Sequence, residues 1–471
     1  MPEKKPVSLK KNFAYKGLLT IANPLIAIII FPYITRVLGV ENVGLVNFVD
    51  NTVSYFLLFA TMGISTLGIR SIAATKENQG DLNKVFSNIL GLNILFTLAV
   101  LVVYNLLIFI VPRFNECFEL FFIGNAKILF TALTIEWFFN GIEDFKYITL
   151  RTLLVRILYI MAIFLFVRSA QNYKLYFVLT VMLVVVNAVI NLVHSRHYVR
   201  IQFRELFSTI YLKENILLGI YGIMTSMYLT FNVMFLGLVS TNTEVGYYTS
   251  AFKLYYLILS VFSAFTSVML PRMSALISKG DNVTFNHMIN KSVEFVSIFS
   301  FPLILCCTVV APNIITVICG PGYEGAVLPM RIIMPAILFV GIAQILAVQV
   351  MLPLKKDRVL LKTSIIGAVV SLLINVTVVP HLQSIGSAIV LLVSEVIVTS
   401  VYLRYSLKLG MLKISVTTFL ASLINSIPCV LICLLCSKYI SNVYISITCS
   451  VVFSVIVYYA LSHNRLKNLI K

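Results

Sequence analysis

Residues 85–111 read VFSNILGLNILFTLAVLVVYNLLIFIV and contain no charged side chain. An α-helix of about 20 apolar residues crosses the hydrocarbon core of a bilayer, so this stretch is long enough to span a membrane. The rest of the chain is similar, since 59% of its 471 residues are apolar and only 11% are charged. Soluble domains carry about 25% charged residues. The composition therefore predicts an all-α, polytopic membrane protein.

Hydropathy along the chain predicts about 14 transmembrane helices. Each is near the length that a bilayer requires. The predicted spans are 12–35, 43–68, 85–111, 118–140, 147–168, 173–194, 214–238, 246–270, 292–318, 327–352, 359–380, 383–404, 413–436 and 440–461.

The lysines and arginines are distributed unevenly between the loops. If the N-terminus is cytoplasmic, 26 of the 36 lie in cytoplasmic loops and tails, and 6 lie on the opposite side. This bias follows the positive-inside rule of membrane proteins. It predicts that both termini are cytoplasmic, and it explains the net charge of +18 without a nucleic-acid partner.

A weak internal repeat emerges when the chain is shifted by 202 residues. Val43–Gly44 then matches Val245–Gly246, and Arg70 matches Arg272. Polar residues of the eighth span share one helical face, and four of the five positions 202 residues earlier are polar too. The two sets are Lys253, Tyr256, Ser260, Ser263 and Ser267, and Asn51, Ser54, Leu58, Thr61 and Ser65.

The repeat predicts two six-helix halves with a lumen between them, because both matching helices cross in the same direction. The predicted division is an N-terminal six-helix bundle at 1–206, a C-terminal six-helix bundle at 207–406 and two additional transmembrane helices at 407–471. Helix–helix packing through small residues is the alternative explanation for the serines and threonines of these faces.

Four cations, Lys16, Lys127, Arg156 and Lys253, lie inside predicted spans. A cation at the bilayer centre costs about 2.5–3.5 kcal/mol on insertion scales. Together they predict a wet, positively charged cavity inside a helix bundle. Lys16 lies close enough to the cytoplasmic end of its span for its side chain to reach the headgroups.

Acidic residues within the spans offer partners for these cations or a site for a coupling ion. A proton-coupled step requires a carboxyl group whose protonation is changed by burial. Asp50, on the polar face, is favoured for this role, and Glu395 is a second candidate. An ion pair with Asp50 is the structural alternative for Lys253, and Glu136 is expected to pair with Lys127 or Arg156.

No arrangement of residues typical of an enzyme is found. The chain has no glycine-rich phosphate loop, its five histidines are not grouped, and its eight cysteines are interpreted as small packing residues. The predicted loops on the outer side are too short for a catalytic domain. The sequence predicts a protein that is not an enzyme and that binds no metal and no cofactor.

Three motifs resemble those of the polysaccharide flippases, the O-antigen or Wzx-type family. They are Ile34–Gly39 (ITRVLG) at the first external turn, Glu136–Tyr147 (EWFFNGIEDFKY) closing the fourth span, and Leu270–Ser274 (LPRMS) after the eighth. The third is similar across the wider multidrug/oligosaccharidyl-lipid/polysaccharide exporter superfamily. Asn140 departs from the glutamine expected there in many members.

The resemblance covers essentially the whole chain and implies two six-helix bundles in a V arrangement with two extra helices. It implies export of an undecaprenyl-diphosphate-linked oligosaccharide repeat unit across the bacterial cytoplasmic (inner) membrane by alternating access, in O-antigen (lipopolysaccharide) or capsular polysaccharide synthesis. The expected partners are the lipid-linked oligosaccharide, membrane lipids, a polysaccharide polymerase and a chain-length regulator.

Site residues are then expected in three groups. Cations pair with phosphate, polar side chains bind sugar hydroxyls, and prolines permit helices to bend. The substrate-binding group is Lys253, Arg156, Lys127, Arg36, Tyr256 and Asn51; the ion-coupling group is Asp50 and Glu395; the gating group is Arg70, Arg272, Pro24 and Pro32. The structural alternatives are headgroup anchoring for Arg70 and Arg272, a helix cap for Arg36, and static kinks for the prolines.

Two other functions compete with the flippase. A multidrug or cation antiporter of the same fold should have a lumen dominated by acids, whereas this chain favours cations. A membrane-bound glycan polymerase or ligase generally needs a large external loop, and none is predicted here.

Overall fold

The computed structural model describes residues 9–410 and 416–470. Side chains are described throughout these ranges except at 9–14, 16, 19–25, 27, 221, 224–230, 416, 464, 466 and 468–470. All regular secondary structure in the described ranges is helical. Lys16 and Pro24 therefore lie outside the described side chains.

The chain forms two compact units, Met1–Leu238 (unit 1) and Val239–Lys471 (unit 2). The division into 1–206, 207–406 and 407–471 stays a prediction. The helices of the first unit are α1 (Leu9–Thr61), α2 (Ile64–Thr75), α3 (Gln79–Ile110), α4 (Pro112–Glu116), α5 (Phe118–Leu133), α6 (Glu136–Gly141), α7 (Phe145–Phe166), α8 (Tyr173–Ser195) and α9 (Leu212–Val239), the last of which ends at the boundary.

The second unit continues directly from α9. Its helices are α10 (Asn242–Ser278), α11 (Asn282–Val309), α12 (Ala311–Cys319), α13 (Val327–Ile333), α14 (Ala336–Gln344), α15 (Asp357–Lys408), α16 (Val416–Tyr439) and α17 (Val443–Ile470). A π-helical segment, Ile345–Met351, extends α14.

Two of these helices are too long to cross a bilayer once. α1 has 53 residues and α15 has 52, which correspond to about 80 Å at 1.5 Å per residue against a hydrocarbon core of about 30 Å. Each is broken near the middle: Gly39 has φ 75° and ψ 168°, and Gln383 has φ 51° and ψ −123°. Gly39 separates the first two predicted spans, and Gln383 begins the twelfth.

Other predicted spans are interrupted. Met62, with φ 34°, ends α1 inside the predicted span 43–68. Ile135, with φ 40°, separates α5 from α6 inside the predicted span 118–140. Pro335 lies where the segment Glu324–Ile333 meets Ala336–Met351 at an angle of 44°.

Ten helices of the described residues are long and apolar enough to cross a membrane, or eleven if the bent pair is one span. The protein is therefore a helical membrane protein with many spans. The fourteen crossings and the cytoplasmic position of both termini stay predictions.

In unit 1, α1 packs against α3, α5 and α7, and α8 packs against α5 and α7. The motif Glu136–Tyr147 supplies much of an apolar cluster, because Trp137, Phe138 and Phe139 are buried with Phe86 of α3. Asp144 begins α7 by accepting a hydrogen bond from the Tyr147 amide at 3.4 Å. This local fold places Glu136 at the start of α6, within the candidate span Phe118–Gly141.

In unit 2, a seam of small residues joins the last two helices to α11. The buried members are Ser422, Ser426, Cys429 and Cys433 on α16 and Ser446, Ser450, Ser454 and Ser462 on α17. Small side chains at helical spacing allow two backbones to approach closely in a membrane. The Tyr458 hydroxyl then donates to the Ile298 carbonyl of α11 at 2.6 Å. Cys429 and Cys433 thus occupy packing positions.

Candidate functional site

A lysine and an aspartate meet inside unit 1. Lys127 Nζ on α5 lies 2.5 Å from Asp50 Oδ1 on α1, and 3.5 Å from Ser54 Oγ. The side chains are 12% and 31% exposed, respectively. Asp50 is thus the ion-pair partner of Lys127, and of the two bases expected for Glu136, Lys127 pairs with Asp50 instead.

Three tyrosines of unit 1 feel the charge of Asp50. The hydroxyl groups of Tyr159 on α7 and Thr180 on α8 are 3.0 Å apart, and the Thr180 hydroxyl donates to the Tyr176 carbonyl at 3.0 Å. Tyr159, Tyr176 and Tyr104 all interact electrostatically with Asp50. None of these tyrosines was among the predicted site residues, although each is a polar group within an apolar span. They form a hydrogen-bonding interior in unit 1.

A second charged cluster lies where α6 meets α7. Arg151 Nη2 donates to Glu136 Oε1 at 2.9 Å, and its guanidinium lies over the Tyr147 ring. Glu136 also interacts electrostatically with Arg156. Glu136 is therefore hydrogen-bonded to Arg151, and it also interacts electrostatically with the predicted partner Arg156.

Arg151 is the more deeply buried member of this cluster. Its side chain is 4% exposed, whereas that of Glu136 is 53% exposed. Its Nε and Nη1 atoms are buried and have no hydrogen-bond partner among the described residues. An unsatisfied buried donor costs about 1–3 kcal/mol. Arg151 thus carries buried N–H groups that no other described residue satisfies.

The polar face of α10 carries Lys253, which is partly buried and has interaction partners within the protein. Tyr256 is exposed. Further along, Ser263 Oγ lies 3.0 Å from Gln344 Nε2 of α14. Ser267 donates to the Ser263 carbonyl at 2.8 Å.

The matching positions of α1 also bond to their own helix. Asn51 Nδ2 donates to the Asn47 carbonyl at 2.8 Å, and Thr61 donates to the Leu57 carbonyl at 2.8 Å. Short polar side chains commonly satisfy themselves in this way inside helices. Asn51 and Thr61 thus each have a hydrogen-bond partner within α1.

Glu395 lies on α15 and is 3% exposed. No hydrogen bond or ion pair to it is present within residues 9–410 and 416–470. One turn further on, Thr399 donates to the Phe339 carbonyl of α14 at 2.8 Å, which fixes this face of α15 against its neighbour. Burial makes an ionised carboxylate costly, so Glu395 is a candidate site for a proton or a cation.

The predicted gating residues are dispersed. Arg70 Nη1 lies 3.4 Å from Glu214 Oε1, and both side chains are well exposed. Arg272 is exposed in the second half of α10, and Arg36 is exposed on α1, three residues before the break at Gly39. α1 continues through Pro32, and its break lies at Gly39 instead.

The described residues form a helical membrane protein with many candidate spans and with charge pairs inside the helix bundle. A family model described as polysaccharide biosynthesis protein matches residues 9–277, which is more than half of the chain. The chain belongs to this family, so the resemblance to the polysaccharide flippases is confirmed and the protein is a transporter, not an enzyme.

Curated relatives align over most of the chain. A protein of Escherichia coli (strain K12) named "Putative O-antigen transporter" is 25% identical over 411 residues, which cover 85% of this chain and 97% of the relative. A protein of Shigella dysenteriae with the same name is 24% identical and covers 84% and 99%.

Solved structures show the same fold. The inward closed conformation of the lipid II flippase MurJ aligns with a TM-score of 0.80 and 14% identity, covering 98% of this chain and 100% of that one. An inward-facing multidrug resistance transporter of the MATE family aligns with a TM-score of 0.62 and 13% identity, covering 84% and 98%.

Proposed function

We propose that this chain is a flippase that moves an undecaprenyl-diphosphate-linked oligosaccharide repeat unit across the bacterial inner membrane by alternating access. Its product would supply O-antigen or capsular polysaccharide synthesis. The relatives that align along nearly their whole length carry the name of an O-antigen transporter, which supports this substrate class. A polymerase and a chain-length regulator are the partners that would act after the flippase.

The cluster of Arg151, Arg156 and Glu136 is the observation that carries the proposal. Arg151 and Arg156 both interact with Glu136, and the N–H groups of Arg151 Nε and Nη1 are buried without a hydrogen-bond partner among the described residues. Guanidinium groups bind phosphate through charge-assisted hydrogen bonds. A diphosphate linker would supply acceptors for the unsatisfied N–H groups of Arg151.

The other predicted site residues differ in how much they are expected to contribute to substrate binding. Lys127 is neutralised by Asp50, so it contributes less to anion binding than the sequence analysis expected. Lys253 and Arg36 stay proposed contacts to the diphosphate, and Asn51 and Tyr256 to the sugar. Arg70, Arg272, Pro24 and Pro32 stay proposed gating residues.

The first experiment compares R156Q and R151Q with the exposed-site control R404Q in cells that depend on this chain for surface polysaccharide. Arg404 lies near the end of α15 and is exposed. We expect the first two variants to lose surface polymer and to accumulate the lipid-linked unit on the cytoplasmic side, while R404Q behaves as wild type.

Protein abundance and thermal stability separate a folding defect from a transport defect. R156K should recover part of the activity, because it keeps the charge but loses the two-pronged contact. Normal surface polymer in folded R151Q and R156Q would contradict the cationic site.

Ion coupling is proposed to depend on Glu395 more than on Asp50. Asp50 is paired with Lys127, whereas Glu395 is buried without a partner among the described residues. A proton bound by Glu395 in one conformation and released in another would link transport to the proton gradient.

A multidrug or cation antiporter is the second candidate function. The buried acid Glu395 favours it, because a cation would compensate the carboxylate. Expression that confers drug resistance without changing surface glycan would support this alternative over the flippase.

A further inference from the structure

The segment between α8 and α9, residues 196–211, is defined here as the linker loop. It contains one short 3₁₀ turn, Phe203–Phe207. α8 belongs to a candidate membrane span that ends at Ser195, and α9 begins at Leu212. The loop must therefore lie close to the membrane surface at its first end.

One side of the linker loop is fastened to the first half of α3. The contacts are Gln79 Nε2 to the Tyr198 carbonyl at 2.7 Å, the Arg200 amide to Asn83 Oδ1 at 2.9 Å, the Gln202 amide to Ser87 Oγ at 2.8 Å, and Lys84 to Glu205 at 3.6 Å. A Cβ atom on Gly91 would lie 1.9 Å from the Leu206 carbonyl oxygen, so the two backbones are in direct contact. These contacts fix which side of the loop faces outward.

The outward side presents large apolar groups. Phe203 is 78% exposed and Phe207 is 88% exposed, the highest value of any large apolar side chain among the described residues. Ile201 and Ile210 are exposed as well. Because these residues lie outside the candidate spans, the lipid-facing wall of the helix bundle does not explain their exposure.

Arginines alternate with these apolar groups. Arg196, Arg200 and Arg204 are exposed, and none forms an ion pair with a residue that the structure describes. Basic residues interleaved with exposed phenylalanine are typical of segments that lie in the interface of a membrane. Anionic phospholipids of the cytoplasmic leaflet attract such segments electrostatically.

We propose that the linker loop is a membrane anchor in which Phe203 and Phe207 enter the headgroup region while Arg200 and Arg204 bind anionic phospholipid. The charge of the loop is complementary to that of the lipid. Its attachment to α3 holds the aromatic side toward the surroundings of the protein. The inference is independent of the transported substrate.

The test uses full-length protein reconstituted in vesicles. Trp137 is the only tryptophan of the chain and is buried, so it gives a constant background to the added fluorophore of F207W. Emission is compared in phosphatidylcholine vesicles and in mixed phosphatidylcholine–phosphatidylglycerol vesicles, each with and without brominated acyl chains.

We expect the added emission in mixed vesicles to be blue-shifted and roughly halved by brominated lipid, as for an interfacial side chain. Both the blue shift and the quenching should be smaller in phosphatidylcholine alone and in F207W/R200Q/R204Q. They should be unchanged in the control F207W/R404Q. High salt should weaken it too, because it screens the arginines.

Three results would overturn the proposal. Emission typical of water without bromolipid quenching would place the loop in the cytosol. Equal quenching in both lipids and in the arginine variant would exclude recognition of anionic lipid. Protection of F207W from acrylamide in native membranes, without quenching in vesicles, would assign the surface to a protein partner instead.

Discussion

Lys127 on α5 and Asp50 on α1 form an ion pair at 2.5 Å inside unit 1. Each would be an uncompensated charge within a predicted span if it stood alone. Because Lys127 is neutralised by Asp50, it is less available to bind an anionic substrate than a lysine without a partner would be. The contact also gives Asp50, the acid first predicted to couple transport to an ion, a partner of opposite charge.

The pair should behave as a unit in a double-mutant cycle. D50N or K127M alone leaves a partly buried charge without a partner and should cost about 3 kcal/mol. The double variant D50N/K127M should recover most of this loss, because no charge remains. Thermal unfolding in detergent measures the cycle, and surface polysaccharide measures transport.

A stable double variant that fails to transport would give the pair a direct role in the transport cycle. Purely additive losses in stability would contradict the coupling that the geometry predicts.

Glu395 should determine how transport responds to the proton gradient. E395Q keeps the shape of the side chain and removes its ability to ionise, so the folded protein should be at least as stable as wild type. We expect flipping in vesicles to rise with an imposed proton gradient in wild type and to be insensitive to it in E395Q. An unchanged response in E395Q, with T399A as the neighbouring control, would exclude this carboxyl group.

Gly39 should be required at the break in α1, because alanine cannot adopt its backbone conformation without strain. Its φ of 75° with ψ of 168° is available almost only to glycine, although a Cβ there would have open space around it. G39A should therefore cost about 1–3 kcal/mol through the backbone alone.

Gly17 provides the matched control on the same helix. It has no positive φ and no neighbour within 4 Å of a built Cβ. G17A should be neutral or stabilising by up to about 1 kcal/mol. If the two variants have the same thermal stability in detergent, the break at Gly39 does not require glycine.

The seam of small residues should hold α16 and α17 together. Ser426 is fully buried on α16, so S426L should overpack the seam and cost about 1–3 kcal/mol. Ser437 lies on an exposed face of the same helix, and S437L should be nearly neutral. Equal melting temperatures for the two variants would contradict close packing along the seam.

Patterns within one segment were predictable because they depend on local properties. The apolar run at 85–111 predicted a span, and α3 contains almost all of it. The motif Glu136–Tyr147 predicted the family, which the match over residues 9–277 confirms. Cys429 and Cys433 were expected to pack, and both are buried in the seam.

Pairings between segments were predicted less well. Lys127 and Asp50 are separated by 77 residues, and their contact depends on how α1 and α5 pack. Glu136 was assigned to Lys127 or Arg156, and it does interact with Arg156. Its hydrogen-bonded partner, however, is Arg151, because the left-handed backbone at Ile135 starts a new helix. Residue spacing along one helix does not contain this information.

The sequence by itself determined that this protein lies in a membrane, that it is helical and that it belongs to a family of polysaccharide transporters, because hydropathy and motifs are properties of contiguous residues. Only the tertiary structure decided which charges neutralise one another, which arginine keeps unpaired donors and which acid is buried without a partner. A charge inside a membrane is stable or costly according to the groups within a few ångströms of it, and helices distant in sequence supply those groups.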